Sequence, residues 1–148
     1  MRVRELCGKD FVIGTGPDMS VRNAARRMAE EGVGCLIVVD RQGELAGVVT
    51  DRDLVTRALA EGANPDTTAV GDVMTVSPVT IEDDSDLEEA ARRMRDAGVR
   101  RLPIVDRRRR VVGMLSLDDL LGEMGRRMVD LSAVAQNVCR AVRSGGLS

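Results

Sequence analysis

This 148-residue chain contains a long internal repeat, which limits the folds open to it. When the sequence is shifted by 66 positions, residues 18–54 align with residues 84–120 without a gap, and 15 of the 37 pairs are identical. The pentapeptide AARRM stands in both copies, at residues 24–28 and 90–94. Chance does not produce such a match, so the chain is a duplicated unit of about sixty residues. We expect the two copies to be related by a pseudo-twofold axis.

The first copy has the pattern strand, helix, strand, strand, helix. A helix is predicted over 20–31 and a second helix from Thr50, and strands are predicted at 12–13, 35–39 and 45–49. The second copy follows the same course, with strands predicted at 78–81, 102–105 and 111–115.

Local signals place the two helices of the second copy. Ser85 and Glu88 have the spacing of a capping box, which predicts the start of the first helix, and Gly98 predicts its end. The second helix is expected to begin at Ser116. After Gly125, apolar residues recur at helical spacing and predict a further amphipathic helix, at Met128, Leu131, Val134, Ala135, Val138 and Val142.

The predicted fold is therefore α+β, with two β-α-β-β-α repeats in tandem and a C-terminal amphipathic helix. We assign residues 1–60 to repeat 1 and residues 70–124 to repeat 2. Residues 61–69, within a segment rich in turn-forming residues, are the linker. Residues 125–148 form the C-terminal helix and tail.

The composition limits the chemistry that the chain can perform. It contains no histidine, so the commonest general base is missing and no Ser-His or Cys-His nucleophile can form. Its three cysteines are widely spaced, and without histidine they predict neither a metal site nor a disulfide framework. We therefore expect no catalytic residues, no metal and no enzymatic cofactor.

Charge and hydropathy bear on location and partners. The net charge of −2 gives no general attraction to nucleic acids or acidic membranes, and a single aromatic residue, Phe11, offers no stacking platform for bases. Aliphatic runs such as LIVV at 36–39 are too short to cross a bilayer, and the charged start MRVRELCGKD is not a secretory signal. The sequence predicts a cytoplasmic protein, with membrane association not expected and nucleic-acid binding disfavoured.

One strand-to-helix corner occurs in both copies, as GVVTDRDL at residues 47–54 and GMLSLDDL at residues 113–120. Thr50 with Asp53, and Ser116 with Asp119, have the spacing of an ordinary capping box. The same geometry suits a ligand, because a helix N-terminus and a hydroxyl can hold a phosphate while a carboxylate accepts hydrogen bonds from a ribose diol. Both interpretations stand at this point.

The repeated pattern Gly-apolar-x-Ser/Thr-x-x-Asp follows AAxxM and, in the first copy, GVxxLxVVD. Together these segments resemble the CBS domain, and the two copies resemble a tandem CBS pair, or Bateman module, over about residues 3–124. A pair that stands alone is also similar to the small stress-associated CBS-pair proteins of bacteria, including the hypoxic-response type of actinobacteria. The resemblance implies a regulatory site for AMP, ADP, ATP or S-adenosylmethionine.

The family pattern can be transferred position by position. It implies that Thr50 and Ser116 bind phosphate and that Asp53 and Asp119 bind ribose hydroxyls. It also implies that the short first strands line the adenine pockets, at Val12, Ile13, Val79 and Thr80.

A basic pair before the second strand reaches phosphate in some members of the family, and Arg100 and Arg101 occupy that place in the second copy. The first copy has Gly34 and Cys35 there and lacks the charge. We therefore expect one dominant phosphate position, built around the arginine pair.

The leading functional hypothesis is a regulatory module that senses an adenosine-containing ligand and passes the signal to a partner protein. The alternative is a structural or protein-interaction module without a physiological nucleotide. In both cases we expect a homodimer, formed through the apolar helices at 54–59 and 117–128. The four arginines at 107–110 are interpreted as a solvated turn, with recruitment of an acidic partner as the second possibility.

Overall fold

The computed structural model describes residues 1–6, 12–14 and 16–143, and of residues 12, 13 and 141–143 it describes the backbone alone. The helices are α1 (Val3–Leu6), α2 (Val21–Glu31), α3 (Asp51–Asp53, continued by the π-helical turns Leu54–Leu59), α4 (Leu87–Ala97) and α5 (Leu117–Arg143). The strands are β1 (Val12–Ile13), β2 (Cys35–Val39), β3 (Leu45–Thr50), β4 (Thr75–Val76), β5 (Ile81–Glu82), β6 (Arg101–Val105) and β7 (Val111–Ser116).

The strands form two sheets, with the orders β1-β2-β3-β4 and β5-β6-β7, and β4, from the start of repeat 2, joins the sheet of repeat 1. In each sheet a short parallel pair precedes an antiparallel hairpin. Both hairpins have a register irregularity at the same place, between Val38 and Val39 in one and between Ile104 and Val105 in the other. The predicted α+β fold is confirmed.

The first helix of each repeat begins and ends in the same way. The side chain of Ser20 caps α2 by accepting from the backbone N–H of Asn23, and that of Asp86 caps α4 by accepting from the N–H of Glu89. Each helix ends at a glycine in the left-handed conformation, where φ is 65°. The predicted box of Ser85 and Glu88 was therefore wrong by one residue, and the aligned position of Ser20 marks the true cap.

Short elements depart from the sequence prediction. The strand predicted at 78–81 begins only at Ile81, because that residue is the first to pair with β6. Strand β4 and helix α1 were not predicted at all. Strand β4 pairs with β3 so closely that a Cβ at Gly47 would lie 2.6 Å from the carbonyl oxygen of Thr75, so glycine permits this approach.

The first residues of each repeat pack into the hydrophobic core of the other repeat. Val3 of α1 is buried in the core of repeat 2, and its N–H donates to the carbonyl oxygen of Ser85 at 2.8 Å. Val70, after the linker, is buried in the core of repeat 1, and its N–H donates to the carbonyl oxygen of Met19 at 2.7 Å. This exchange fixes the two repeats against each other.

The helix after each corner differs greatly in length between the repeats. In repeat 1 it ends at Leu59, whereas in repeat 2 α5 continues without a break through Gly125 to Arg143. The predicted second helix of repeat 2 and the predicted C-terminal helix are thus one helix. Within the described residues, no helix combines the length and the apolar character needed to span a bilayer.

Candidate ligand-binding cleft

Both repeated corners form complete capping boxes. In repeat 1, Asp53 Oδ2 accepts from the N–H of Thr50 at 2.9 Å, and Thr50 Oγ1 accepts from the N–H of Asp53 at 3.1 Å. In repeat 2, Asp119 Oδ2 accepts from the N–H of Ser116 at 2.8 Å, and Ser116 Oγ accepts from the N–H of Asp119 at 3.1 Å. The structural interpretation of the corner is therefore correct in both copies, and any ligand role is additional to it.

The hydroxyl groups of the two corners differ in their hydrogen bonds. Ser116 Oγ lies 2.8 Å from Asp119 Oδ2 and donates its hydrogen to that carboxylate. Among the hydrogen bonds of the described residues, Thr50 Oγ1 acts only as an acceptor. Within the described residues, the hydroxyl of Thr50 therefore donates to no protein acceptor, whereas that of Ser116 donates within its own corner.

A cleft of about 570 Å³ lies between the two repeats. Repeat 1 contributes Thr50 and Asp53, and repeat 2 contributes Val79, Arg100 and Arg101. The structure therefore brings the corner of the first copy together with the arginine pair of the second. Sequence reasoning left this pairing open, because it depends on how the repeats pack.

Several lining residues were missed by the sequence analysis. Val48 and Met114 lie two positions before Thr50 and Ser116, and since side chains two apart on a strand share a face, this spacing was a usable signal. Cys35 and Thr50 are paired across β2 and β3. The remaining lining residues have no such signal and are Arg52, Thr75, Ser77, Pro78, Ala97, Gly98, Val99 and Pro103.

Three further predicted site residues, Thr80, Ser116 and Asp119, lie outside this cleft. Thr80 does not line it, and its carbonyl oxygen accepts from Arg93 Nη1 at 2.7 Å. Ser116 borders a smaller cavity of about 170 Å³, which Arg100 and Arg101 also line. Asp119 lines neither cavity. The backbone of Val12 and Ile13 pairs with Leu36 and Ile37, and their side chains are outside the described residues.

Charged side chains in and near the cleft affect the pKa of the Cys35 thiol. Burial is the main effect and raises the pKa of its thiol to about 11; Arg101 opposes this rise, and Asp53 and Asp51 add to it. A cation and two carboxylates therefore act on one position of the cleft wall. At neutral pH the thiol is protonated and is a poor nucleophile.

The arginine-rich turn is separate from the cleft. Arg107, Arg108, Arg109 and Arg110 are all exposed, and the turn is held by Asp106 Oδ1, which accepts from the N–H groups of Arg108 and Arg110 at 2.8 and 3.0 Å. This agrees with a solvated turn. Within the described residues no three Cys, Asp or Glu side chains are grouped so as to hold a metal ion.

Comparison with known proteins agrees with this geometry. The family model described as "CBS domain" matches twice, at residues 3–60 and 70–126. The chain is 35% identical over 119 residues to an uncharacterized protein, MK0525, of Methanopyrus kandleri, a match that covers 80% of this chain and 60% of that protein. It is 36% identical over 120 residues to YlbB of Bacillus subtilis, covering 80% and 79% of the two chains. The chain thus spans less than two thirds of the first relative.

Solved structures give the same fold. The CBS domain pair of MJ0100, in complex with 5′-methylthioadenosine and S-adenosyl-L-methionine, has a TM-score of 0.75 at 26% identity and covers 86% of this chain and 98% of that one. PAE2072 of Pyrobaculum aerophilum, complexed with AMP, has a TM-score of 0.73 at 27% identity, covering 81% and 90%. Hypoxic Response Protein I, with two coordinated zinc ions, has a TM-score of 0.72 at 25% identity, covering 82% and 97%. The chain therefore belongs to the CBS domain family and carries two copies of the domain in tandem.

Proposed function

We propose that this protein is a regulatory module whose inter-repeat cleft binds an adenosine-containing ligand. The observation that carries the proposal is the meeting of Thr50, Asp53 and the arginine pair in one cleft. The volume of about 570 Å³ lies within the range of small-molecule sites. Complexes of MJ0100 and PAE2072 with adenosine compounds support this ligand class.

The polar groups of the cleft suit a nucleoside phosphate. Asp53 keeps acceptor capacity for a ribose diol, because its capping bond uses Oδ2, and Oδ1 lies 3.8 Å from Arg57 Nε, beyond hydrogen-bond distance. The hydroxyl of Thr50 donates to the phosphate. Arg100 and Arg101 are exposed and carry charge that a phosphate needs when it leaves water.

The apolar groups of the cleft suit the base. Val48, Pro78, Val79, Val99 and Met114 line it and offer the apolar surface against which an adenine ring can lie. Thr80 is left out of this assignment, since its carbonyl oxygen is engaged by Arg93. Val12, Ile13, Ser116 and Asp119 are assigned by pseudosymmetry to a second, weaker position.

The response to the ligand is proposed to pass to a partner protein and to involve a homodimer. Among the described residues of the cleft, the Cys35 thiol is protonated at neutral pH and is not an activated nucleophile. The helices expected to form the dimer expose large apolar side chains, at Val55, Leu59, Leu121 and Met124. Exposed apolar groups concentrated on two helices favour association between copies.

Ligand binding is tested by calorimetry with AMP, ATP, adenosine and S-adenosylmethionine. We expect at least one of these to bind, and we expect its 2′,3′-dideoxy analogue to bind at least about tenfold more weakly, because the diol can no longer donate to Asp53. Equal affinities would remove the ribose role of Asp53. Failure of every compound to bind would favour the alternative, a protein-interaction module without a nucleotide.

A further inference from the structure

The C-terminal part of α5 projects beyond the two repeats. Every described side chain from Met124 to Arg140 is exposed. Met128, Leu131 and Val138 leave 69%, 68% and 47% of their surface in contact with solvent. Because helices in proteins are stabilised mainly by packing of an apolar face, an exposed apolar stripe along this helix indicates a missing partner.

The apolar residues of α5 repeat every seven positions. Alternating steps of three and four residues connect the α5 seam, which we define as Leu121, Met124, Met128, Leu131, Ala135, Val138 and Val142. This is the a and d pattern of a coiled coil, although Val134, beside the seam, and Val129, outside it, are exposed apolar residues as well. The pattern therefore points to another helix rather than to a flat protein surface.

We propose that the α5 seam packs against the same seam of a second copy of this chain, as a two-helix coiled coil. A heptad pattern is complementary to an identical pattern, because each side chain fits between four residues of the facing helix. The inference rests on the proposed homodimer and is independent of the nucleotide.

The residues that flank the seam permit this self-association. Only one flanking residue is charged, and most are small, at Gly125, Arg127, Ser132, Val134, Cys139 and Ala141. The Nε of Arg127 lies 3.2 Å from Glu123 Oε1, so its charge is paired within its own helix. Two copies can therefore approach without repulsion between like charges at the interface, while Arg126, Asp130 and Arg140 occupy outer positions.

The seam is continuous with a groove on the body of the protein. A cavity of about 340 Å³ lies between α4 and α5, with Leu87 and Ala91 on one side and Met124 and Met128 on the other. A partner helix on the seam would thus also contact α4 at the base of α5. This second contact adds apolar surface where the helix leaves the body.

Disulfide trapping in the full chain tests the proposal. In a background with Cys7→Ser, Cys35→Ser and Cys139→Ser, the seam variants are Met128→Cys and Val138→Cys, and the control is Ala133→Cys, which lies on the opposite face of α5. Under mild oxidation we expect each seam variant to form a covalent dimer if the helices are parallel. If the helices are antiparallel, we expect an equimolar mixture of the two variants to form a covalent dimer that joins position 128 of one chain to position 138 of the other. The control is expected to remain uncrosslinked in both cases.

A second comparison measures the energetic role of the seam. Leu131→Glu should weaken dimerisation at least about thirtyfold by sedimentation, as loss of a buried leucine implies, whereas Ala133→Glu should not. Circular dichroism verifies that both variants are folded. A dimer whose crosslinking at 128 and 138 does not exceed that at 133 would overturn the coiled coil but not the homodimer. A monomeric chain, including one that binds anionic vesicles through this helix, would overturn both.

Discussion

The two repeats have the same fold and the same hydrogen-bonded corner, yet they offer different sites. The positions that precede the second strand hold Gly34 and Cys35 in repeat 1 but Arg100 and Arg101 in repeat 2. Among the described residues, the Thr50 hydroxyl donates to no acceptor, whereas that of Ser116 donates to its own aspartate. The corner is thus structural in both copies, and we propose that the neighbouring residues decide which copy can take a ligand.

The sharpest test of this asymmetry is a pair of matched substitutions in the two corners. Asp53→Asn should weaken AMP binding by about 1.5–3 kcal/mol, the usual cost of losing a hydrogen bond to a charged group. Asn still accepts from the N–H of Thr50, so the fold should be retained. Asp119→Asn, which removes the same charge from a residue outside the large cleft, should leave the AMP affinity close to that of the unmutated chain. Calorimetry measures both, and equal losses would contradict the asymmetry.

The arginine pair is expected to have the next largest effect. Arg100→Ala with Arg101→Ala should reduce the affinity for AMP about tenfold and that for adenosine much less, because both residues are exposed and their charge is partly screened by solvent. Added salt should reproduce part of the loss. The control is Arg108→Ala with Arg109→Ala in the exposed turn. If both double variants bind AMP equally well, the pair has no role in phosphate binding.

The capping boxes predict a smaller effect of similar size in the two repeats, slightly larger at Ser116, whose hydroxyl also donates to Asp119 Oδ2. Thr50→Ala and Ser116→Ala should each lower the free energy of unfolding by about 1 kcal/mol, since each removes the hydroxyl that accepts from an N–H group in the first turn of a helix. Urea denaturation at one protein concentration measures the change. Strongly unequal losses would show that the corners are not structurally equivalent.

The smallest expected change is in the reactivity of the Cys35 thiol. Cys35 is the residue of repeat 1 that aligns with Arg101 of repeat 2. In the background with Cys7→Ser and Cys139→Ser, alkylation by iodoacetamide should be slow at neutral pH and should accelerate until the pH reaches about 11, because burial keeps the thiol protonated. Saturating AMP should slow it further by covering the cleft wall. An ordinary thiol titration near the usual value of 9.0, unaffected by AMP, would contradict this placement.

The long elements could be predicted from the sequence because their signals are local. Apolar periodicity, the internal repeat and the stop signal at Gly98 predicted α2, α4 and the two hairpins to within one or two residues. Strand β4 and helix α1 are too short to show a period, and they form only because distant segments pair with them.

The candidate site was only partly accessible to the same reasoning. The corner residues and the arginine pair follow from the repeat, but their meeting in one cleft depends on the packing of the two repeats. Thr80 shows the limit of transfer by position, since Arg93, a residue of the repeated AARRM segment, engages its carbonyl oxygen. A tertiary contact of this kind cannot be predicted from a local sequence pattern.

A crystal structure of the protein grown with saturating AMP tests directly whether the cleft between the repeats binds the nucleotide. We expect the nucleotide in the cleft between Thr50 and Val79, with ribose hydroxyls about 2.6–3.2 Å from Asp53 and the phosphate facing the arginine pair. A nucleotide bound only at Ser116 and Asp119, or an empty cleft in crystals soaked at high AMP concentration, would contradict the account.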